Sequence, residues 1–250
     1  MQLEFFLKKE QMQALSEYVK GKDVVVNLPT GYGKSLIYSL VCPRACDNLR
    51  RVKSKKERSM SLLISPLTAL MDDQRLSLAQ LGLSSLKLTP NVSEADISRI
   101  QSGDIQVIIL SPESFECDVV KRTLQSAKEC IHYCVAIDEA HFTAQLSVRG
   151  TDFRSAYDNS GEVRALLLPK LPLTALTATI TETSLAYMVK KLSMDEFTLV
   201  KGSNNRMNIF YSFSKLEKYQ YNDCEKMEMA FTNCFQLIIR DLKENGISAE

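Results

Sequence analysis

A chain of 250 residues, 45% of them hydrophobic, has the length and makeup of one α/β domain or one and a half. Its 31 basic and 30 acidic side chains nearly cancel, which excludes attraction to a polyanion by bulk charge and leaves only a local nucleic-acid surface. No apolar run is long enough to span a membrane, the acidic-aromatic start is no basic-apolar leader, and seven irregularly spaced cysteines point to a reducing compartment.

Residues 5–20 (FFLKKEQMQALSEYVK) predict a helix with Phe6, Met12, Leu15 and Val19 on its buried face and Gly21 as its stop. Lys8 and Gln11 lie within it. A glutamine amide donates and accepts at once, which suits the edge of adenine, although a solvated helical Gln fits the spacing equally well. The β-branched run Val24-Val25-Val26 predicts a buried strand. Leu28-Pro29-Thr30-Gly31-Tyr32-Gly33-Lys34-Ser35 follows, then an apolar run from Leu36-Ile37: a glycine turn and a helix start. Glycines let several backbone N–H groups converge on one anion, and the helix N-terminus adds a positive dipole end. Thr30, Gly31, Tyr32 and Gly33 form the phosphate turn, Lys34 supplies a compact cation for the outer phosphates and Ser35 a hydroxyl for magnesium. This is a variant P-loop, since the strict pattern has Gly where Leu28 stands.

Residues 44–58 (RACDNLRRVKSKKER) hold seven basic and two acidic side chains, readable as a solvated loop, a phosphate-backbone contact or a nuclear-import signal. Met60–Ser65 predicts a strand closed by Pro66, and Leu67–Leu81 a helix whose polar face carries Asp72, Asp73, Gln74 and Arg75. Ser84–Leu88 reads as a short strand, Ser93 as the cap of a helix running to about Gln101, and Gly103 as its end. Ile105–Leu110 is a buried strand, Glu116–Glu129 a helix, Ile131–Ile137 and Leu171–Ala178 further strands, and Thr181–Leu192 a helix. After Leu192 the pattern loosens, with a strand expected at Asn208–Phe213 and a helix at Phe235–Asn245. Continuous apolar strands alternating with helices give an α/β fold: a mainly parallel sheet with helices on both faces.

Asp138-Glu139-Ala140-His141 stands directly after the strand Cys134–Ile137. Ligands of doubly wound sheets sit at the carboxyl ends of strands, so these acids reach the crevice of Lys34 and Ser35. Asp138 is placed at magnesium and Glu139 as the group that polarises the attacking water. If Cys130 and Cys134 share an extended strand they lie about 13 Å apart, too far to hold one ion, so the cysteines read as small buried hydrophobes.

Asp138 to His141 together with Pro29 to Ser35 resembles the first RecA-like domain of a superfamily 2 helicase. Further segments are similar to the RecQ family of DNA helicases: Leu7 to Gln11, with Lys8 where an Arg is usual; Ser65 to Gln74; Ser111-Pro112-Glu113; Asp152-Phe153-Arg154 with Tyr157; Ala175 to Thr179; and Asn205, Arg206 and Asn208. The resemblance implies a RecA-like P-loop domain over 1–205 and, over 206–250, a crossover and the start of a second RecA-like lobe. It implies ATP and Mg²⁺ as cofactors, DNA as partner, 3′-to-5′ unwinding and a nuclear location. Gln11, with Lys8, would read adenine, Glu139 would be the catalytic base, and His141, Thr177 and Thr179 would couple hydrolysis to DNA. Ser65, Thr68, Ser111, Gln145 and Arg154 would serve DNA contact or coupling.

The match departs in three places. Between Gln145 and Asp152 stands Leu-Ser-Val-Arg-Gly-Thr in place of a shorter segment containing Trp, and a base-stacking ring is worth roughly 1–3 kcal/mol. Residues 44–58 look like an insertion. The later motifs of the second lobe, including the arginine that completes the ATP site, have no counterpart, so the expectation is a lobe that binds ATP but hydrolyses it poorly on its own. Two rivals stay open: a non-catalytic ATP- or DNA-binding module, as a truncated isoform or diverged paralogue, and an RNA helicase with the same Asp-Glu-Ala-His.

Overall fold

The computed structural model describes residues 7–41, 58–66, 68–128, 131–145, 163–167 and 171–203, with Ile209, Phe235 and Gln236. By spatial proximity the chain divides into Met1–Asn204 and Asn205–Glu250. In the second unit, Ile209 and Phe235 are exposed and Phe235 and Gln236 are helical. The strand expected at Asn208–Phe213 and the remainder of the helix at Phe235–Asn245 lie outside the described residues.

The first unit is built on seven parallel strands: β1 (Asp23–Asn27), β2 (Arg58–Ile64), β3 (Ser85–Lys87), β4 (Val107–Leu110), β5 (Ile131–Ile137), β6 (Leu173–Thr177) and β7 (Phe197–Lys201). Their order is β3-β4-β2-β5-β6-β1-β7. In register, Val25 pairs with Ala175 of β6 and with Leu199 of β7, while Leu62 pairs with Val135 of β5. The apolar runs of the sequence are continuous because the sheet is covered twice. Val25, Leu62, Ile64, Val135 and Ile137 face one core; Val24, Val26, Leu63, Cys134 and Ala136 face the other. Full burial of such a side chain contributes about 1.5–3 kcal/mol relative to exposure.

The second core is covered by α1 (Lys9–Val19) through Ala14, Leu15 and Tyr18, by Ile37 and Tyr38, and by α3 (Thr68–Gln80) through Met71 and Leu78. Between them, α2 (Lys34–Leu36) passes directly into a π-helical turn, Ile37–Val41. The first core is covered by α4 (Glu94–Gln101), α5 (Pro112–Glu116), α6 (Asp118–Ala127), α8 (Val163–Leu167) and α9 (Glu182–Lys191). A four-residue helix, α7 (Phe142–Gln145), follows β5. The caps follow local chemistry: Ser93 Oγ accepts from the Asp96 N–H at 3.1 Å, and Thr181 caps α9 with Ser184 returning the bond. No helix among the described residues is long and apolar enough to cross a membrane.

Three sequence expectations need correction. Met12 is 58% exposed and Val19 only half-buried; Leu15 is buried as expected, with Gln11, Ala14 and Tyr18 beside it. The loosened pattern after Leu192 hides a strand that was not expected: β7 forms the edge beside β1. The helix expected from Glu116 to Glu129 is two, broken at Cys117, whose ψ of 130° is extended.

At the amino ends of the strands, one ion pair ties four elements together. Arg164 Nη2 lies 2.5 Å from Asp23 Oδ2, the Leu173 N–H donates to Asp23 Oδ1 at 2.9 Å, and Arg164 Nη1 donates to the Ser193 carbonyl at 2.9 Å. Asp23 is only 7% exposed. Arg164→Met leaves that carboxylate without its counter-ion, and the expected cost is about 3 kcal/mol, read as a lower urea midpoint at unchanged slope.

Candidate active site

The loop after β1 is shaped by where β1 ends. The Leu28 N–H donates to the Thr177 carbonyl at 3.1 Å, so the strand runs one residue on before Pro29 turns it. Leu28 is fully buried against Gly202, where an added Cβ would lie 2.7 Å from Leu28 Cδ2. The variant leucine is therefore a core residue. Gly31 (φ +79°) and Gly33 (φ +91°) take the left-handed backbone that curls the loop. At Gly33 an added Cβ would also sit 2.7 Å from Gln11 Nε2, so a side chain there would push that amide aside.

Lys34 opens α2, and its ammonium donates to the Leu28 and Pro29 carbonyls at 3.0 and 3.4 Å. Ser35 is exposed one residue on, with its carbonyl accepting from Ser39 Oγ at 2.7 Å. Thr30 is exposed at the turn. Gln11 is 2% exposed, and both N–H bonds of its amide are engaged. Its Oε1 accepts from the Lys8 N–H at 2.8 Å, and its Nε2 donates to the carbonyls of Tyr32 (3.2 Å) and Gly33 (3.0 Å).

Asp138 continues from β5, its N–H donating to the Ile64 carbonyl at 2.8 Å. Burial, then the charge of Glu139, raises its carboxyl to about 6, against the pull of Lys34. The Glu139 N–H donates to Asp138 Oδ1 at 3.0 Å and Gln74 Nε2 to Oδ2 at 3.0 Å. Glu139 has φ +46°, a strained position for a residue with a side chain. A hydrogen bond from the His141 ring holds its carboxyl below the ordinary range.

His141 Nδ1 stands 3.2 Å from Glu139 Oε2 and 3.1 Å from Thr177 Oγ1. Thr177 has one hydroxyl proton, which it gives to the Thr179 carbonyl at 3.0 Å, and its oxygen also accepts from the Thr179 N–H at 3.2 Å. The proton between the ring and Thr177 therefore belongs to Nδ1 of His141. The result is a relay from Glu139 through His141 and Thr177 to Thr179, joining the carboxyl ends of β5 and β6.

Gly31, Gly33, Lys34, Ser35, Asp138 and Glu139 line one cleft of about 390 Å³. Its far wall is α3, through Leu70, Asp73, Gln74 and Ser77, and Tyr38 closes its base. Gln74 and Tyr38 were not singled out as site residues in the sequence. A glutamine seven residues beyond the start of a predicted helix carries no signal of its own, since its partner Asp138 is 64 residues away. Tyr38 reaches the site through the helix that starts at Lys34, and its phenol is pushed up by burial and then by the charge of Asp138.

The residues assigned to DNA contact are less gathered. Ser65 is fully buried, and Ser111 is 5% exposed with its Oγ capping α5 by accepting from the Ser114 N–H at 3.1 Å. Thr68 is exposed at the start of α3. Gln145 ends α7, and Arg154 lies outside the described residues, as does nearly all of the basic stretch 44–58.

A family model described as DEAD/DEAH box helicase matches residues 8–187. The chain is 27% identical to ATP-dependent DNA helicase Q-like 2 of Arabidopsis thaliana over 97% of its own length and 36% of that protein's. It is 30% identical to ATP-dependent DNA helicase RecQ of Haemophilus influenzae, over 85% of the chain and 32% of that protein. It thus spans about a third of the length of these relatives. Among solved structures, the helicase MrfA bound to DNA and AMPPNP aligns with a TM-score of 0.59 at 19% identity, covering 78% of this chain and 27% of that one. The Hef helicase domain of Pyrococcus furiosus aligns at 0.52 and 19%, covering 77% and 38%. At such identities the likeness shows the fold, which is RecA-like α/β. With the family match covering most of the length and RecQ helicases recurring among its relatives, this chain belongs to the DEAD/DEAH box helicase family, on its RecQ side.

Proposed function

We propose that this chain is the ATP–Mg²⁺-binding lobe of a RecQ-like helicase that couples ATP hydrolysis to 3′-to-5′ unwinding of DNA, and that it works in the nucleus. Residues 1–205 are the ATP-binding domain, and 206–250 lead into a second lobe of the same protein. The observation that carries the reading is the single cleft shared by the Gly31–Ser35 turn and the Asp138–Glu139 pair. The DNA-helicase relatives favour DNA over RNA as the strand acted on.

The donor set fits the nucleotide. An added Cβ at Gly31 would meet nothing within 4 Å, so the turn is open to an anion. The Asp138 carboxylate and the Ser35 hydroxyl line the same cleft as Lys34, which is the oxygen donor set a hard divalent cation takes. Asp138 and Ser35 would hold Mg²⁺, whose octahedral shell takes one or two protein ligands and leaves the rest to phosphate and water. Bound ATP–Mg²⁺ supplies the phosphoanhydride and neutralises charge on the transferring phosphoryl group. Lys34 exchanges the Leu28 and Pro29 carbonyls for phosphate oxygens. Gln11 gives part of its amide to the base. Glu139, held ionised by His141, accepts the proton of the attacking water, and the relay to Thr179 carries the change at Glu139 toward DNA-contacting segments. Those segments are the ones that carry Ser65, Thr68, Ser111, Gln145 and Arg154. Because Ser65 and Ser111 are buried, their part is to shape the loops.

Equilibrium binding of ATP–Mg²⁺ to wild type and Lys34→Ala tests the reading. Loss of a charge-assisted phosphate contact is expected to weaken binding at least about tenfold. Equal affinity in the two proteins would remove the loop from the nucleotide site. Hydrolysis stimulated by RNA and not by single-stranded DNA would overturn the choice of nucleic acid.

A further inference from the structure

Phosphate binding by a glycine turn uses backbone N–H groups, so it makes no demand on the side chain between the two glycines. Here that side chain is Tyr32, and it does not line the nucleotide cleft. It turns instead to the first turn of α1. Its hydroxyl donates a short hydrogen bond to Glu10 Oε2. The Lys8 ammonium lies 4.0 Å from the centre of its ring and 3.4 Å from its carbonyl oxygen. Gln11 Nε2 takes the same carbonyl at 3.2 Å. Three side chains at the start of one helix therefore grip one residue of the loop.

These contacts differ in what happens when a base arrives. Gln11 has no free donor in this arrangement, because both N–H bonds of Nε2 go to carbonyls, while Oε1 holds the Lys8 N–H and keeps one lone pair. Donating to a base costs Nε2 one of its two carbonyls, and the loop loses an anchor. The Tyr32–Glu10 bond and the stacking of Lys8 on Tyr32 use no atom of Gln11. They persist through the exchange. The charges favour persistence as well, since the bond holds the Glu10 carboxyl down and the Tyr32 phenol up across the neutral range.

We infer that Tyr32, Glu10 and Lys8 form a latch that keeps the phosphate loop docked on α1 while Gln11 is free to read the base, so that Tyr32 and Glu10 are positioning residues for base selectivity. The inference rests on the nucleotide-binding reading given above. The latch sets the distance between base reader and phosphate turn. Without it the turn still binds phosphate, but the adenine edge no longer meets Gln11 in register. Tyr32→Phe keeps the ring for Lys8 and removes only the hydroxyl. Glu10→Ala removes the acceptor, and Glu10→Gln keeps an oxygen that accepts from the phenol.

The test is displacement of a fluorescent ATP analogue by ATP and by GTP, with Mg²⁺, from wild type and these variants, with circular dichroism melts to confirm folding. Tyr32→Phe and Glu10→Ala are expected to weaken ATP about fivefold, the scale of one net hydrogen bond. GTP should weaken less, so that the preference for ATP narrows. Glu10→Gln is expected to retain most of the wild-type preference. If ATP and GTP weaken together, or neither changes, the latch reading is wrong while the nucleotide site stands. If wild type binds no nucleotide, the function assigned to the cleft falls and the latch with it.

Discussion

Glu139→Gln is expected to cut ATP turnover about a thousandfold while leaving ATP affinity within about twofold. The carboxylate sits at the carboxyl end of β5 on the wall of the cleft it shares with Gly31, Gly33, Lys34 and Ser35, and the hydrogen bond from the His141 ring holds it below the ordinary carboxyl range. A carboxamide of the same shape keeps the hydrogen bond from His141 Nδ1 but has no negative charge to draw a proton from water. The strained backbone at Glu139 (φ +46°) is set by the chain around it and stays. Phosphate release at saturating ATP and single-stranded DNA, in a protein that carries the second lobe as well, measures the effect, and equilibrium binding measures affinity. A variant that retained a tenth of wild-type turnover would take the catalytic base away from Glu139.

The second large effect concerns stability. Asp138 is a carboxyl whose folded value, about 6, lies above its ordinary 3.8. The folded state thus holds the proton more tightly than the unfolded state, and stability from this group is fully present below pH 3.8. It falls as pH rises through the interval up to about 6 and stays low above it. At neutral pH the burden is about 3 kcal/mol at most. Asp138→Asn removes it. The new carboxamide oxygen still accepts from the Glu139 N–H, and its nitrogen can donate to Gln74 Oε1, a buried oxygen with no partner at present. The expected result is a nucleotide-free protein more stable by about 2 kcal/mol at pH 7.5, with the difference closing toward pH 4, and unable to bind Mg²⁺. Urea titrations at the two pH values check the first part, and the Mg²⁺ dependence of ATP affinity the second. A variant that is less stable at pH 7.5 would mean that Asp138 is held by more than its burial cost.

What the sequence shows of this molecule follows from which interactions are local. The strands of the interior were legible because burial on both faces writes an unbroken apolar run, as in Val24–Val26 and Ile131–Ile137. The phosphate turn and the acidic pair were legible because each is a short string of unusual residue types at a strand end. Strand β7 was missed because an edge strand is covered on one side. In Phe197–Lys201 only Val200 is fully buried, so no run forms. Met12 was misplaced for the opposite reason. Apolar periodicity cannot see that Gln11 is buried, since a glutamine goes inside only when distant carbonyls satisfy it, and those belong to Tyr32 and Gly33. Gln74 was passed over as a site residue on the same ground. The DNA-facing roles of Ser65 and Ser111 came from family resemblance alone, and the burial of both side chains is what resemblance could not convey.

The position of β1 in the sheet has a consequence for biosynthesis. Its neighbours are β6 and β7, and the Asp23 carboxylate meets the Leu173 N–H across 150 residues of chain. A ribosome that has released the glycine turn has not yet released either strand that will hold it in place. Strands β2, β3, β4 and β5 can pair with one another as they emerge, whereas β1 must wait. The phosphate loop is therefore among the first segments made and the last to be framed, at the steep loop-closure cost that slows non-local parallel pairing. Until both arrive, the backbone N–H and C=O groups of Val24–Val26 lack their ladder partners.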